Sequence, residues 1–263
     1  MKTHYHLHKL AGIILALLLS ITLAGCSSSK STKTKYDDKA FIASLERGLE
    51  ARWKLTDAVE IQDIKKSDYE AFINAELTRI SDYSSKKYKS TFLQENAIAY
   101  INSLKNQKKA LKSYNDADFQ TKWDKAYDAR NAILVKIDKK YHLKINKKYN
   151  SYLVELRRSG NATNKNTAKN TALNSLIKSI KFNDKSDDGS GFIEYSATVK
   201  NTTGYDIKSF SAVVKLKDKS NVTTDTQYIN TENWNKNEKV QLKFATDKDF
   251  TSYTVTKDYV DFD

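Results

Sequence analysis

Proline is missing altogether from these 263 residues, and cysteine occurs once. Without proline, helices have no internal breaker, and turns must be made by Gly, Asn, Asp and Ser. A lone cysteine excludes intrachain disulfides and any cysteine-rich zinc cluster. Histidine is nearly as scarce, at His4, His6, His8 and His142. The chain also lacks a Gly-x-x-x-x-Gly-Lys phosphate loop. With 39% hydrophobic and 29% charged residues, its composition is globular, so a hydrophobic core must hold it.

Charge is abundant and uneven. Residues 26–180 hold 31 Lys+Arg against 18 Asp+Glu, a balance of +13, whereas residues 181–263 hold 12 against 14, a balance of −2. The texture changes at the same place, from helix-spaced apolar residues to strict alternation.

The head of the chain is basic at Lys2 and Lys9, then apolar from Leu10 to Ala24 apart from Ser20 and Thr22. That run, about 15 residues, is short for a spanning helix, which needs roughly 20. It ends in Leu23-Ala24-Gly25-Cys26, which resembles a bacterial lipoprotein signal. The resemblance implies that Leu23, Ala24 and Gly25 are read by the signal peptidase, that residues 1–25 are removed, and that Cys26 takes the lipid. The expected location is the outer face of the bacterial cytoplasmic membrane, with Cys26 as the membrane anchor. His4, His6 and His8 leave with the signal. Residues 26–36, rich in Ser, Thr and Lys, read as a flexible basic tether. Its lysines suit either a soluble spacer or contact with anionic headgroups, at about 1 kcal/mol each.

Residues 37–160 predict an α-helical bundle. Phe41, Ile42, Leu45, Leu49 and Trp53 form one stripe, opened by Asp37-Asp38. Tyr69, Phe72, Ile73, Leu77 and Ile80 form a second, behind Ser67-Asp68-Tyr69-Glu70 with capping-box spacing. A third runs from Phe92 to Leu111. A fourth, capped by Asn115 or Asp116, runs from Phe119 to Tyr141. Tyr149, Tyr152, Leu153 and Leu156 make a short fifth, with Gly160 placed to end it. Residues 161–174 read as a linker, with a brief helix around Leu173 to Ile177. Beyond, Ile193, Tyr195, Ala197 and Val199 alternate with polar residues, as do Phe210 to Leu216, Val240 to Phe244, and Tyr253 with Val255. Turn clusters at 201–204, 217–221 and 233–238 separate these strands. The predicted fold class is α+β in two domains, a helical bundle followed by a small antiparallel immunoglobulin-like β-sandwich over 175–263.

Val199-Lys200-Asn201-Thr202-Thr203-Gly204, then Val214-Lys215-Leu216-Lys217-Asp218, Trp234 and Tyr253-Thr254-Val255 resemble the FxLYD domain. That family is an immunoglobulin-like module of secreted and lipid-anchored Gram-positive proteins. Val214 stands where Phe is usual and Lys217 where Tyr is usual, exchanges that keep the inward positions apolar. The resemblance implies an extracellular binding or spacer module and brings no catalytic residues.

Catalytic chemistry finds little support. His142 has no second histidine after the signal, and the lone Cys26 is expected to be taken by lipid, so neither a zinc site nor a Cys/His pair can be assembled. Ser84-Ser85-Lys86-Lys87 has Ser-x-x-Lys spacing but lacks a Lys-Thr-Gly partner. No pair of carboxylates flanks a definable cleft, which argues against a cell-wall hydrolase. Asp184, Ser186 and Asp188 follow the opening of a calcium loop, yet position 12 is Tyr195, with Glu194 one place early. A polar hairpin turn accounts for the same residues.

Lys139, Lys140, Lys144, Lys147, Lys148, Arg157 and Arg158 lie among Tyr141 and Tyr149. They read either as an anion-binding patch or as a solvated face. No catalytic residue, cofactor or intracellular nucleic acid is expected, and the oligomeric state is left open. The expected function is non-enzymatic: a lipid-anchored surface protein binding teichoic acid, anionic lipid or an envelope protein. The alternative is a prophage-type superinfection-exclusion lipoprotein that blocks phage DNA at the membrane.

Overall fold

Five helices build the first half of the molecule, each along a stripe of apolar residues: α1 (Asp38–Thr56), α2 (Lys66–Ile80), α3 (Thr91–Ala110), α4 (Phe119–Tyr141) and α5 (Asn150–Ser179). The computed structural model describes residues 35–263 other than Asp188, with Ile61 described by its backbone alone. The expected lipid-attachment sequence, the expected signal residues and all but the end of the expected tether lie outside the described residues.

Neighbours α1 and α2, α2 and α3, α3 and α4, and α4 and α5 pack together. Phe41, Leu45 and Leu49 of α1, Ile73 and Ile80 of α2, and Leu93, Ile101 and Leu104 of α3 are fully buried with Leu134 and Ile137 of α4. Each such side chain contributes about 1.5–3 kcal/mol relative to exposure. An aromatic group closes one end, where Tyr69 meets Trp123 at 4.5 Å and Phe119 at 5.9 Å between centroids.

The helix starts differ from expectation in detail. Ser67 falls inside α2, whose cap is the Asp68 carboxylate accepting from Lys65 N at 2.7 Å. Asp118, rather than Asn115 or Asp116, precedes α4. Asp38 does not cap its own helix, since its carboxylate accepts Lys89 N and Ser90 N at 2.8 and 3.0 Å, tying α1 to the start of α3.

The larger correction concerns Gly160 and the linker at 161–174. Gly160 does not end a helix. It lies inside α5, which continues through residues 161–174 for 30 residues in all. A Cβ at Gly160 would lie 2.4 Å from Asn131 O and 2.5 Å from Val135 Cγ2, so the glycine serves close approach of α5 to α4. The stretch after it is polar because Lys165 to Ala168 are exposed all round, as in a helix that bridges two cores through solvent. Asn164 Nδ2 still reaches Ala132 O of α4 at 3.0 Å. Five residues later, Lys169 lies over Phe262 and Tyr205 of the β region at 4.7 and 5.2 Å.

The second half is an antiparallel β-sandwich. Its strands are β1 (Asp184–Asp187), β2 (Ile193–Lys200), β3 (Ile207–Lys217), β4 (Thr223–Trp234), β5 (Lys239–Thr246) and β6 (Ser252–Phe262). One sheet has the order β1-β2-β5 and the other β4-β3-β6. Ala197, Val199, Leu242 and Phe244 of the first share a core with Phe210, Ala212, Val214, Leu216 and Ile229 of the second. Leu173, Leu176 and Ile177 at the end of α5 enter that core too, so the brief helix expected there is the far end of α5. Asparagine shares the positive-φ positions with glycine, since proline is absent: Asn221, Asn233 and Asn237 take positive φ beside Gly189, Gly191 and Gly204, a region Asn tolerates.

Candidate functional site: the basic helical surface

The seven cations of the expected anion patch lie at the end of α4, the following loop and the start of α5. Four of them are engaged within the protein. Arg157 grips Asp138 through Nε and Nη2 at 2.7 and 3.0 Å, and Arg158 grips Glu155 at 2.9 and 2.6 Å. Lys140 lies over the Phe92 ring and Lys148 over the Tyr149 ring, each at 4.4 Å. Carboxylates are also threaded through the region, because Glu46 and Glu50 of α1 accept the backbone N–H groups of Lys144 and Asn146 at 2.6 and 2.7 Å. A cleft of about 400 Å³ beside it has Ile42 and Tyr141 in its wall with Asp38, Glu46, Lys39 and Lys144. Both signs of charge line it. Lys139, Lys144 and Lys147 are exposed side chains with no ion pair among the described residues.

A second surface, between α3 and α4, is more uniform. Asn106, Lys109, Ala110 and Ser113 face Lys122, Lys125, Ala126 and Ala129 across a groove of about 550 Å³, with Lys112 at its edge. Each helical run has the spacing i, i+3, i+4, i+7, which places its residues on one face. The alanines leave the space, and the lysines rim it. None of the lining residues is acidic or aromatic. Lys122 is paired with Asp118 at 2.7 Å and donates to Ser113 Oγ at 2.8 Å. At 100° per residue, Asp124 stands on the far side of α4 and Asp128 on its flank, about 60° round from Lys125. These lysines were missed as a group in the sequence, where Lys125 merely precedes the stripe alanine Ala126 and Lys109 precedes Ala110, outside the stripe.

Also missed was a charged cluster inside the bundle. Glu76 of α2, buried completely, accepts from Arg130 Nη2 at 2.7 Å and from Arg52 Nη1 at 2.9 Å. Its other oxygen accepts from Tyr100 Oη. Gln107 Oε1 accepts from Arg52 at 3.3 Å, and Asn131 Oδ1 from Arg130 at 3.0 Å. Burial alone would raise the Glu76 carboxyl, but Arg130 and then Arg52 outweigh it and hold it below its ordinary 4.5. Burial, joined by Arg130, lowers Arg52, while burial and the Glu76 charge push the Tyr100 phenol well up. Gly48 makes room, since its Cβ position is 3.3 Å from Glu76 Cα. The cluster holds two cations and one anion away from solvent, so it acts on the fold rather than on a substrate.

The remaining candidates, apart from His142 in the wall of the 400 Å³ cleft, lie outside these surfaces. His142 ends α4 at φ 50°. Ser84 Oγ donates to Ser81 O at 2.9 Å. Asp184 and Ser186 belong to β1, paired with Ser196 and Glu194 of β2, so they sit in an extended strand rather than a wrapping loop. Asp188 lies outside the described residues. Among the described residues, no cluster of three or more His, Cys, Asp or Glu is arranged for a metal, and no helix is long and apolar enough to cross a membrane. No family model, curated protein or solved structure matches this chain.

Proposed function

We propose that this chain is a non-enzymatic, lipid-anchored protein of the bacterial surface, held through Cys26 and binding an anionic polymer of the envelope with its helical half. The observation that supports this most is the lysine-rimmed groove between α3 and α4, without a carboxylate in its lining, on the half of the chain that holds the net positive charge. The sandwich is read as an FxLYD-like spacer or second binding module, consistent with its two antiparallel sheets. Attached by lipid, a basic surface meets wall polymers and headgroups before other polyanions.

Two measurements test the reading. Cys26→Ala should leave unlipidated precursor that keeps residues 1–25 and takes up no lipid label; protein from its own host with a bare Cys26 thiol would overturn the anchor. The full chain should bind teichoic acid with an affinity that falls steeply as salt rises. Binding indifferent to salt, or absent at low salt, would overturn the polymer.

A further inference from the structure

Resting on the reading above, we infer that the α3–α4 groove is the binding site, and that its ligand is a polyol phosphate chain rather than a nucleic acid. The lysines stand in two short ranks, Lys109 at the end of α3 with Lys112 in the 3-10 turn that follows it (Leu111–Ser113), and Lys122 and Lys125 on α4. Each rank covers no more than one helical turn, about 5 Å of axis. Phosphodiesters threaded between them meet cations on both sides. Lys122 already shares its charge with Asp118, which leaves Lys109, Lys112 and Lys125 as the groove's free cations among the described residues.

The floor decides between ligands. Ala110 and Ala126 are buried and Ala129 is open, so the base of the groove is smooth and without rings. Single-stranded nucleic acid is held by bases stacking on aromatic side chains, and none lines this groove. Duplex DNA needs a broad basic surface with several phosphate contacts along the groove axis. A glycerol or ribitol phosphate chain needs neither. Its slim backbone fits over alanine, its phosphates reach the lysines, and its hydroxyls meet Asn106 and Ser113 at the wall.

The test measures binding of polyglycerol phosphate to the full-length chain across a salt series. K109E/K112E/K125E should weaken binding at least tenfold and flatten the log–log salt dependence by about two. K139E/K144E/K147E, with the same change in net charge, should weaken it less than threefold. Ala129→Glu, one carboxylate placed in the groove without removing a lysine, should also lower affinity, and melting curves matching the wild type would show that each variant folds. Equal losses from the two triple variants would overturn the groove while leaving the polymer reading intact. A wild-type chain that ignores both polyglycerol and polyribitol phosphate but binds a wall polyanion of other chemistry would overturn the ligand. Failure to bind any wall polyanion would remove both. Oligothymidylate bound as tightly through the same lysines would overturn the preference against nucleic acid.

Discussion

Arg130 of α4 donates to Glu76 of α2 at 2.7 Å in the centre of the bundle, and both side chains are shut off from water. Arg52 joins from α1 and Tyr100 from α3, so four helices are joined by one carboxylate. Charges so placed are costly to desolvate, and the loss of one partner is worse than the loss of all.

Glu76→Gln should therefore destabilise the chain by about 3–5 kcal/mol, because two buried guanidinium groups lose their counter-charge. A urea titration followed by far-UV circular dichroism measures it. A loss below about 1 kcal/mol would mean that water reaches the cluster.

The same carboxylate sets an acid limit. Its folded pKa lies below the ordinary 4.5, so the unfolded chain takes up the proton first. The stabilisation is present above that value and is lost as pH falls through the folded pKa. The stability gap between wild type and Glu76→Gln should hold steady near neutrality and shrink only in acid below 4.5. A gap unchanged across acid pH would contradict the ion pair.

Gly160→Ala should destabilise by about 1–3 kcal/mol, although alanine is the better helix former by about 1 kcal/mol. The added methyl would meet Asn131 O at 2.4 Å, forcing α5 away from α4. Thermal melts measure the change. Stabilisation would show that the two helices separate freely.

Asn201 is the corresponding polar fixture of the sandwich. Fully buried, it donates to Tyr205 O and Trp234 O, both at 2.9 Å, and accepts from Thr203 N and Oγ1 at 3.1 and 2.7 Å. Asn201→Ala strands several of those groups, at about 1–3 kcal/mol for each one left unsatisfied. Faster amide exchange at Thr203 is the expected signature, and unchanged exchange would count against it.

Much of this was legible in the chain. The apolar stripes marked all five helices, and alternation marked β2, β3, β5 and β6. β4 escaped notice because it is an edge strand whose buried side chains are Ile229 and Trp234, leaving little alternation to see. Asn161 to Ala168 looked like a hinge because Asn and Thr favour turns, but helix propensity gives way to tertiary packing at both ends. The buried cluster had left a trace: Glu76 sits in register with Phe72, Ile73 and Ile80, and Arg130 with Trp123, Ala126 and Ile137. The groove left less, because a lysine beside an alanine has the pattern of any amphipathic helix until a second helix stands opposite.

The unbroken α5 turns residue count into angle. It is seated in the bundle by Gly160 and in the sandwich by Leu173, Leu176 and Ile177, with no joint between. Deleting one residue from the exposed stretch at 165–168 would swing everything beyond it by about 100°. The sandwich is thus aimed, like a vane on a shaft, by the number of residues rather than by their identity.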